Sequence, residues 1–163
     1  MFFHQRKNRV SACFFACCVG ACVGCGGPEK PDGLPDLTPC RLVLTQDGEP
    51  LSGATARFVY QGDGDGGRWA VAGVSNDRGV VEVLTHGQFK GAPSGRYSVV
   101  VTKETTEQDG ETSKVYSLVA SEFTLQTTTP LTLEVGDAAV EETFDLGAPA
   151  REFLEEFAAP TEP

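Results

Sequence analysis

Side chains able to do chemistry are few in this sequence, and they are scattered. Six cysteines occur: Cys13, Cys17, Cys18, Cys22 and Cys25 lie close together, and Cys40 stands apart. Of the two histidines, His4 sits near the start and His86 in Thr85-His86-Gly87-Gln88-Phe89-Lys90. Catalysis at a histidine needs a nucleophile or a metal partner beside it. The sequence has no Gly-x-Ser-x-Gly and no paired histidine ligands, so neither hydrolysis nor zinc binding is expected at His86. Asp63 and Asp65, in Gln61-Gly62-Asp63-Gly64-Asp65-Gly66-Gly67, put two carboxylates on a glycine backbone. Calcium uses such oxygens, but the twelve-residue loop pattern and its closing glutamate are missing, and a solvated hairpin loop is expected. The polar run Lys103 to Lys114 reads as a mobile loop. Recognition, if the chain does any, is expected on this loop and on the 61–67 and 86–95 loops, with Asp63, Asp65, His86 and Lys90 as candidate contacts. No catalytic residue, metal or cofactor is expected.

The cysteine-rich stretch belongs to a segment with its own logic. Arg6, Lys7 and Arg9 precede an uncharged run of 15 residues from Val10 to Gly24. That run is shorter than the roughly 20 residues a membrane-spanning helix requires. It is rich in Cys, Ala and Gly, with Phe14 and Phe15 its only large apolar groups besides valines. A basic start, an uncharged run and a small-residue end together predict a secretory signal peptide over residues 1–24.

The end of that segment, Val23-Gly24-Cys25-Gly26-Gly27, resembles the lipobox of bacterial lipoproteins. The resemblance implies cleavage before Cys25 and attachment of a diacylglyceryl group to its thiol, with a further acyl chain on its amine. Two or more chains anchor stably, because each buried methylene contributes about 0.8 kcal/mol. Val19-Gly20-Ala21-Cys22 is the alternative, with the better aliphatic residue, so Cys22 stays open as the modified position. Residues 26–39 contain four prolines and read as a semi-extended tether reaching roughly 40 Å. The implied location is the cell envelope, on the exported side of a membrane. After cleavage at Cys25 only Cys40 keeps a free thiol, so the exported part is expected to fold without disulfides.

Losing residues 1–24, with Arg6, Lys7 and Arg9, takes the formal charge from −10 to −13. Such an acidic chain repels nucleic acid and anionic lipid. Solubility explains most of this excess; a partner with a basic surface is the other reading.

Between residues 40 and 146 the apolar period is two. Leu42 and Leu44 alternate with Arg41, Val43 and Thr45; Ala54, Ala56, Phe58 and Tyr60 alternate with Thr55, Arg57 and Val59. Residues 69–74, then Val81 and Val83, then Tyr97, Val99 and Val101, continue the pattern, and Leu131, Leu133 and Val135 precede Phe144 and Leu146. Turns rich in Asp, Asn and Gly separate these runs. The expectation is an all-β domain, a seven-stranded antiparallel β-sandwich. The tail, residues 147–163, is acidic; Phe153, Leu154 and Phe157 after Pro149 suggest a short amphipathic helix, frayed or weakly docked.

Three segments carry a family resemblance. Asp47-Gly48-Glu49-Pro50-Leu51-Ser52-Gly53-Ala54, Asn76-Asp77-Arg78-Gly79-Val80-Val81-Glu82-Val83 and Ala92-Pro93-Ser94-Gly95-Arg96-Tyr97-Ser98-Val99 resemble successive motifs of carboxypeptidase regulatory-like domains. Pro130 to Val135 and Thr143 to Leu146 fit the last two strands. The resemblance implies a transthyretin-like (prealbumin-like) sandwich over residues 40–146, similar to small lipoproteins that carry one such domain. It implies binding or structural work at the envelope, with an unidentified envelope protein or glycan as partner. Hydroxyisourate hydrolases share that fold, but their several histidines and C-terminal Tyr-Arg-Gly-Ser are missing here. The lysine and asparagine of an adhesin-type isopeptide bond are also missing from the first and last expected strands. If the chain delivers a carbohydrate or peptide to an enzyme complex instead, Tyr60, Trp69, Phe89 and Tyr116 are the aromatic contacts available.

Overall fold

The alternating runs become strands in a computed structural model that describes residues 29–158. In chain order these are β1 (Leu37–Thr38), β2 (Cys40–Gln46), β3 (Glu49–Pro50), β4 (Thr55–Tyr60), β5 (Val71–Val74), β6 (Val80–Glu82), β7 (Leu84–Thr85) and β8 (Phe89–Lys90). They continue with β9 (Ala92–Pro93), β10 (Gly95–Thr102), β11 (Glu104–Asp109), β12 (Thr112–Ser117), β13 (Thr132–Val135), β14 (Val140–Asp145) and β15 (Glu152–Ala158). The only helical pieces described are 3-10 turns at Asp65–Arg68 and Ser121–Phe123. The chain is all-β.

One sheet of six strands runs β13-β10-β4-β5-β7-β8 and is antiparallel throughout. A second is organised around β2, which pairs antiparallel with β3 and β6 and parallel with β14. The β2–β3 connection is a two-residue Asp47-Gly48 turn with both φ values positive, the geometry whose twist suits a tight hairpin. A three-stranded sheet, β11-β12-β15, continues from the end of β10. The pair β1–β9 closes one margin.

The core lies where β2 and β6 meet the long sheet. Leu42, Leu44 and Val81 share a buried cluster with Ala56, Phe58, Val71, Val99, Val101, Leu133 and Val135. Tyr97 is fully buried within it. Its ring packs edge-on against Phe58 (centroids 6.2 Å apart) and Tyr60 (5.5 Å). Its hydroxyl donates a 2.7 Å hydrogen bond to the Pro93 carbonyl, which satisfies a polar atom that burial would otherwise penalise.

Turn residues hold the two sheets in register. Asn76 Oδ1 accepts from the amides of Arg78 and Val80, which folds the chain back into β6. Gly79 has φ +72, and a Cβ there would lie 2.3 Å from the Leu44 carbonyl oxygen. Leu44 in turn donates its amide to the Gly79 carbonyl at 2.8 Å. This turn therefore touches β2 backbone to backbone, and only glycine fits.

Five sequence expectations need correction. The run from Lys103 to Lys114 is not a loop: β11 and β12 form a hairpin across it, with Glu104 opposite Ser117 and Asp109 opposite Thr112. The tail is not helical, because Glu152–Ala158 pairs with β12. Its apolar residues are spaced for either period, and β12 offered an edge that a strand could complete. The segment expected as a free tether to residue 39 is packed in its second half, since Leu34 is buried and β1 pairs with β9. Among the described residues fifteen strand segments stand where seven strands are expected, and β14 runs parallel to β2 rather than antiparallel. The leader with Cys22 and Cys25, and residues 159–163, lie outside the described residues.

Two outcomes follow from the burial of Tyr97. Tyr97→Phe leaves the Pro93 carbonyl without its donor and should cost about 1–3 kcal/mol in urea unfolding. Burial, aided by the nearby Tyr60 and Cys40, pushes the Tyr97 hydroxyl from 10 up to about 12. The unfolded chain thus ionises first: this stabilisation is complete below pH 10 and is lost as pH rises towards 12. Thermal melts over that range should fall more steeply in the wild type than in Tyr97→Phe.

Candidate functional site

The glycine-rich loop after β4 is shaped by one ring. Gln61 donates its amide to the Arg96 carbonyl at 2.8 Å, and the chain then winds around the Tyr60 side chain. A Cβ on Gly62 would lie 2.7 Å from the Tyr60 ring, one on Gly66 2.6 Å and one on Gly95 2.3 Å. These glycines are there so that backbone can lie against an aromatic face. Among the described residues no group of three metal-ligating side chains forms, and Asp63 is exposed to solvent.

The loop ends at Trp69, which meets His86 edge-on with ring centroids 6.3 Å apart. His86 is held by its own backbone: φ is +53 and its amide donates to the Ala70 carbonyl at 2.7 Å. The fold thus brings the 61–70 segment and the 86–88 turn to one place, while Lys90 is engaged elsewhere, its Nζ 2.6 Å from Glu82 Oε1.

Beside this junction runs a groove of about 590 Å³, lined by Arg57, Tyr60, Arg68, Trp69 and Gln126 among others. Trp69 Nε1 is buried and has no hydrogen-bond acceptor among the described residues. Such a donor usually finds a partner when it is removed from water, and a bound carbonyl or hydroxyl can supply one. The four aromatic residues singled out in the sequence do not form one platform. Tyr60 and Trp69 share the groove, Phe89 lies on the edge strand β8, and Tyr116 belongs to the three-stranded sheet. All four are half-buried.

Two features escaped the sequence. Arg151, just before β15, places its guanidinium 4.1 Å from the centroid of the Tyr116 ring and 2.5 Å from Glu107 Oε2, so one side chain clamps β11, β12 and β15. Its hydrogen bond holds the Glu107 carboxyl below the usual carboxylate range. Asp145 accepts from the amides of Gly147 (2.8 Å) and Gly48 (2.9 Å), which tie the end of β14 to the first hairpin and depress its carboxyl. An i to i+44 contact such as Arg151–Glu107 has no local signal. Cys40 is buried; its Sγ donates to the Thr38 carbonyl at 3.2 Å, and burial pushes the thiol up despite a backbone hydrogen bond with Ala92. A thiol of that kind is a poor nucleophile.

Compared with family models, with curated proteins and with solved structures, the chain matches none.

Gly66→Ala should force the loop off the Tyr60 ring, costing about 1–3 kcal/mol by denaturation and shifting the emission of the single tryptophan to the red. Cys40 should resist an aromatic disulfide reagent in the native protein and react at once in denaturant; equal rates would show that the thiol is open.

Proposed function

We propose that this chain is a lipid-anchored, non-enzymatic protein of the cell envelope. Residues 40–146 would form a transthyretin-like sandwich of the carboxypeptidase regulatory-like kind, displayed for binding or structural work. The observation that carries this reading is Val23-Gly24-Cys25-Gly26-Gly27 at the end of a basic-then-apolar leader, followed by a proline-rich spacer. The fold reading is supported by two sheets sharing one core and by the three motifs resembling that family. Each motif has a structural task here: Asp47-Gly48 makes the first hairpin, Asn76 to Gly79 turns into β6, and Pro93 accepts from Tyr97. Among the described residues no helix is long and apolar enough to cross a membrane.

A second reading rests on the Trp69 groove. Its unpaired indole N–H, beside Arg57 and Gln126, suits a ligand rich in carbonyl or hydroxyl groups, such as a glycan or an extended peptide. On this reading the domain is an accessory module that holds such a ligand for an envelope enzyme.

The first reading is tested by growth with labelled palmitate in a bacterial host. Label should enter the wild-type chain and be lost in Cys25→Ser; loss in Cys22→Ser instead moves the site, and no label in any form overturns the anchor. The second is tested by titrating envelope glycan fragments and peptides against tryptophan emission, which has a single source in this chain. Unchanged emission at saturating concentrations removes the groove from consideration.

A further inference from the structure

The described residues expose five large apolar side chains, and three of them lie on one strand: Phe153 (57% exposed), Leu154 (48%) and Phe157 (45%). That strand, β15, is the outer member of the sheet β11-β12-β15, so one of its edges has no paired strand among the described residues. The other free edges are blunted. β3 and β8 have two residues each, β11 (Glu-Thr-Thr-Glu-Gln-Asp) is polar throughout, and β13 and β14 turn Leu133, Val135, Val140 and Phe144 onto the core. A long apolar edge is a template for another strand unless something covers it.

Cross-strand register sorts the side chains of β15 by face. Phe153 and Glu156 lie opposite Tyr116 and Lys114; Glu155 and Phe157 lie opposite Val115 and Ser113. A bulge isolates Leu154, and Glu155 to Ala158 then pair in unbroken register. Each face of the edge therefore carries one phenylalanine and one glutamate, and Glu152 adds a third carboxylate. The strand itself is held firmly from behind: Tyr116 packs edge-on with Phe153 (6.0 Å), and the Glu152 carboxylate accepts from the Ser121 amide at 3.2 Å.

We propose that β15 is a docking edge for an extended segment of a partner protein in which basic and apolar residues alternate, added to the sheet as a fourth strand. Charge complementarity selects this occupant. Two copies of β15 side by side would bring six carboxylates together with no basic residue on either strand, and a membrane with anionic headgroups would meet the same three carboxylates. A strand bearing lysine or arginine between apolar residues satisfies the free backbone groups, covers both phenylalanines and neutralises the edge. This interface goes beyond the anchoring role and does not depend on it.

The test uses the full chain in mild detergent and a fluorescein-labelled heptapeptide of alternating lysine and valine. Three companions complete it: a glutamate–valine peptide, a lysine–valine peptide with alternate amides methylated, and the variant Leu154→Lys/Glu155→Lys. That variant spares Glu156 opposite Lys114 and Glu152 on Ser121, and unchanged tryptophan emission verifies its fold. The wild type should bind the lysine peptide by anisotropy, with no binding of the other two peptides. The variant should lose affinity by about tenfold or more and gain affinity for the glutamate peptide. Equal binding of the methylated peptide would mean unspecific charge attraction, and an unchanged affinity in the variant would place binding elsewhere; either overturns the proposal. So does absence of binding, or a wild-type dimer in sedimentation that Leu154→Lys/Glu155→Lys dissolves, which would make a second copy the occupant.

Discussion

The core of this fold is arranged around keeping the β10 strand out of water. Tyr97, Val99 and Val101 face the core, and Ser98 and Val100 on the opposite side are buried too. A strand covered on both faces needs its backbone groups paired: β13 pairs with Gly95–Ser98, β4 with Tyr97–Thr102, and Leu131 and Thr129 take the amide and carbonyl of Val99. Tyr97 is the awkward residue in this arrangement, because it brings a hydroxyl into an apolar centre. The Pro93 carbonyl answers it from four residues away, and in doing so sets the bend by which the chain enters the strand. Phe58 and Tyr60 then pack around the ring, Tyr60 dictates the glycines of the loop above it, and that loop delivers Trp69 to the groove. The candidate site is thus the outermost layer of a sequence of contacts that begins with one buried phenol.

Much of the body was legible because its signals are local. Alternation at Leu42/Leu44, Ala54/Ala56/Phe58 and Leu131/Leu133/Val135 survives intact as buried positions, since a strand with one buried face must alternate. Asn76 to Gly79 was legible as a turn for the same reason. What could not be read were choices made between distant segments. Thr105 to Thr112 is nearly all polar, and nothing in it announces a hairpin; it becomes one because β12 gains Val115 as a buried residue and β15 as a neighbour. Phe153, Leu154 and Phe157 fit a helix as well as a bulged strand, and the arbiter is an open edge about forty residues earlier. Of the candidate recognition residues, His86 meets Trp69 and the Ala70 carbonyl just beyond the 61–67 loop, whereas Lys90 pairs with Glu82 and Asp63 stays in solvent; none of these tertiary contacts has a local sequence signal.

Electrostatics in this chain is mostly a matter of where acid is tolerated. Asp145 and Glu107 are stabilised by specific donors and serve as fasteners. Lys114 is spoken for by Asp109. Among the glutamates of β15, Glu152 accepts from the Ser121 amide and Glu156 faces Lys114, and with Glu155 they interrupt an apolar edge that would otherwise invite self-pairing. Acidic residues here act as exclusion as much as attraction.

The parallel pairing of β14 with β2 has a consequence in time. Val140 lies opposite Cys40, a hundred residues earlier in the chain, and the pairing continues in step to Asp145 and Thr45. A polypeptide that emerges N-terminus first, from a ribosome or across a membrane pore, presents β2 early and must leave its second edge vacant until nearly the whole domain has followed. Closure of that sheet is therefore a late, non-local event of the kind that slows folding. Until then the strand that anchors the core is an unfinished surface, and the interval between first and last emergence is when a holding partner would matter most to this protein.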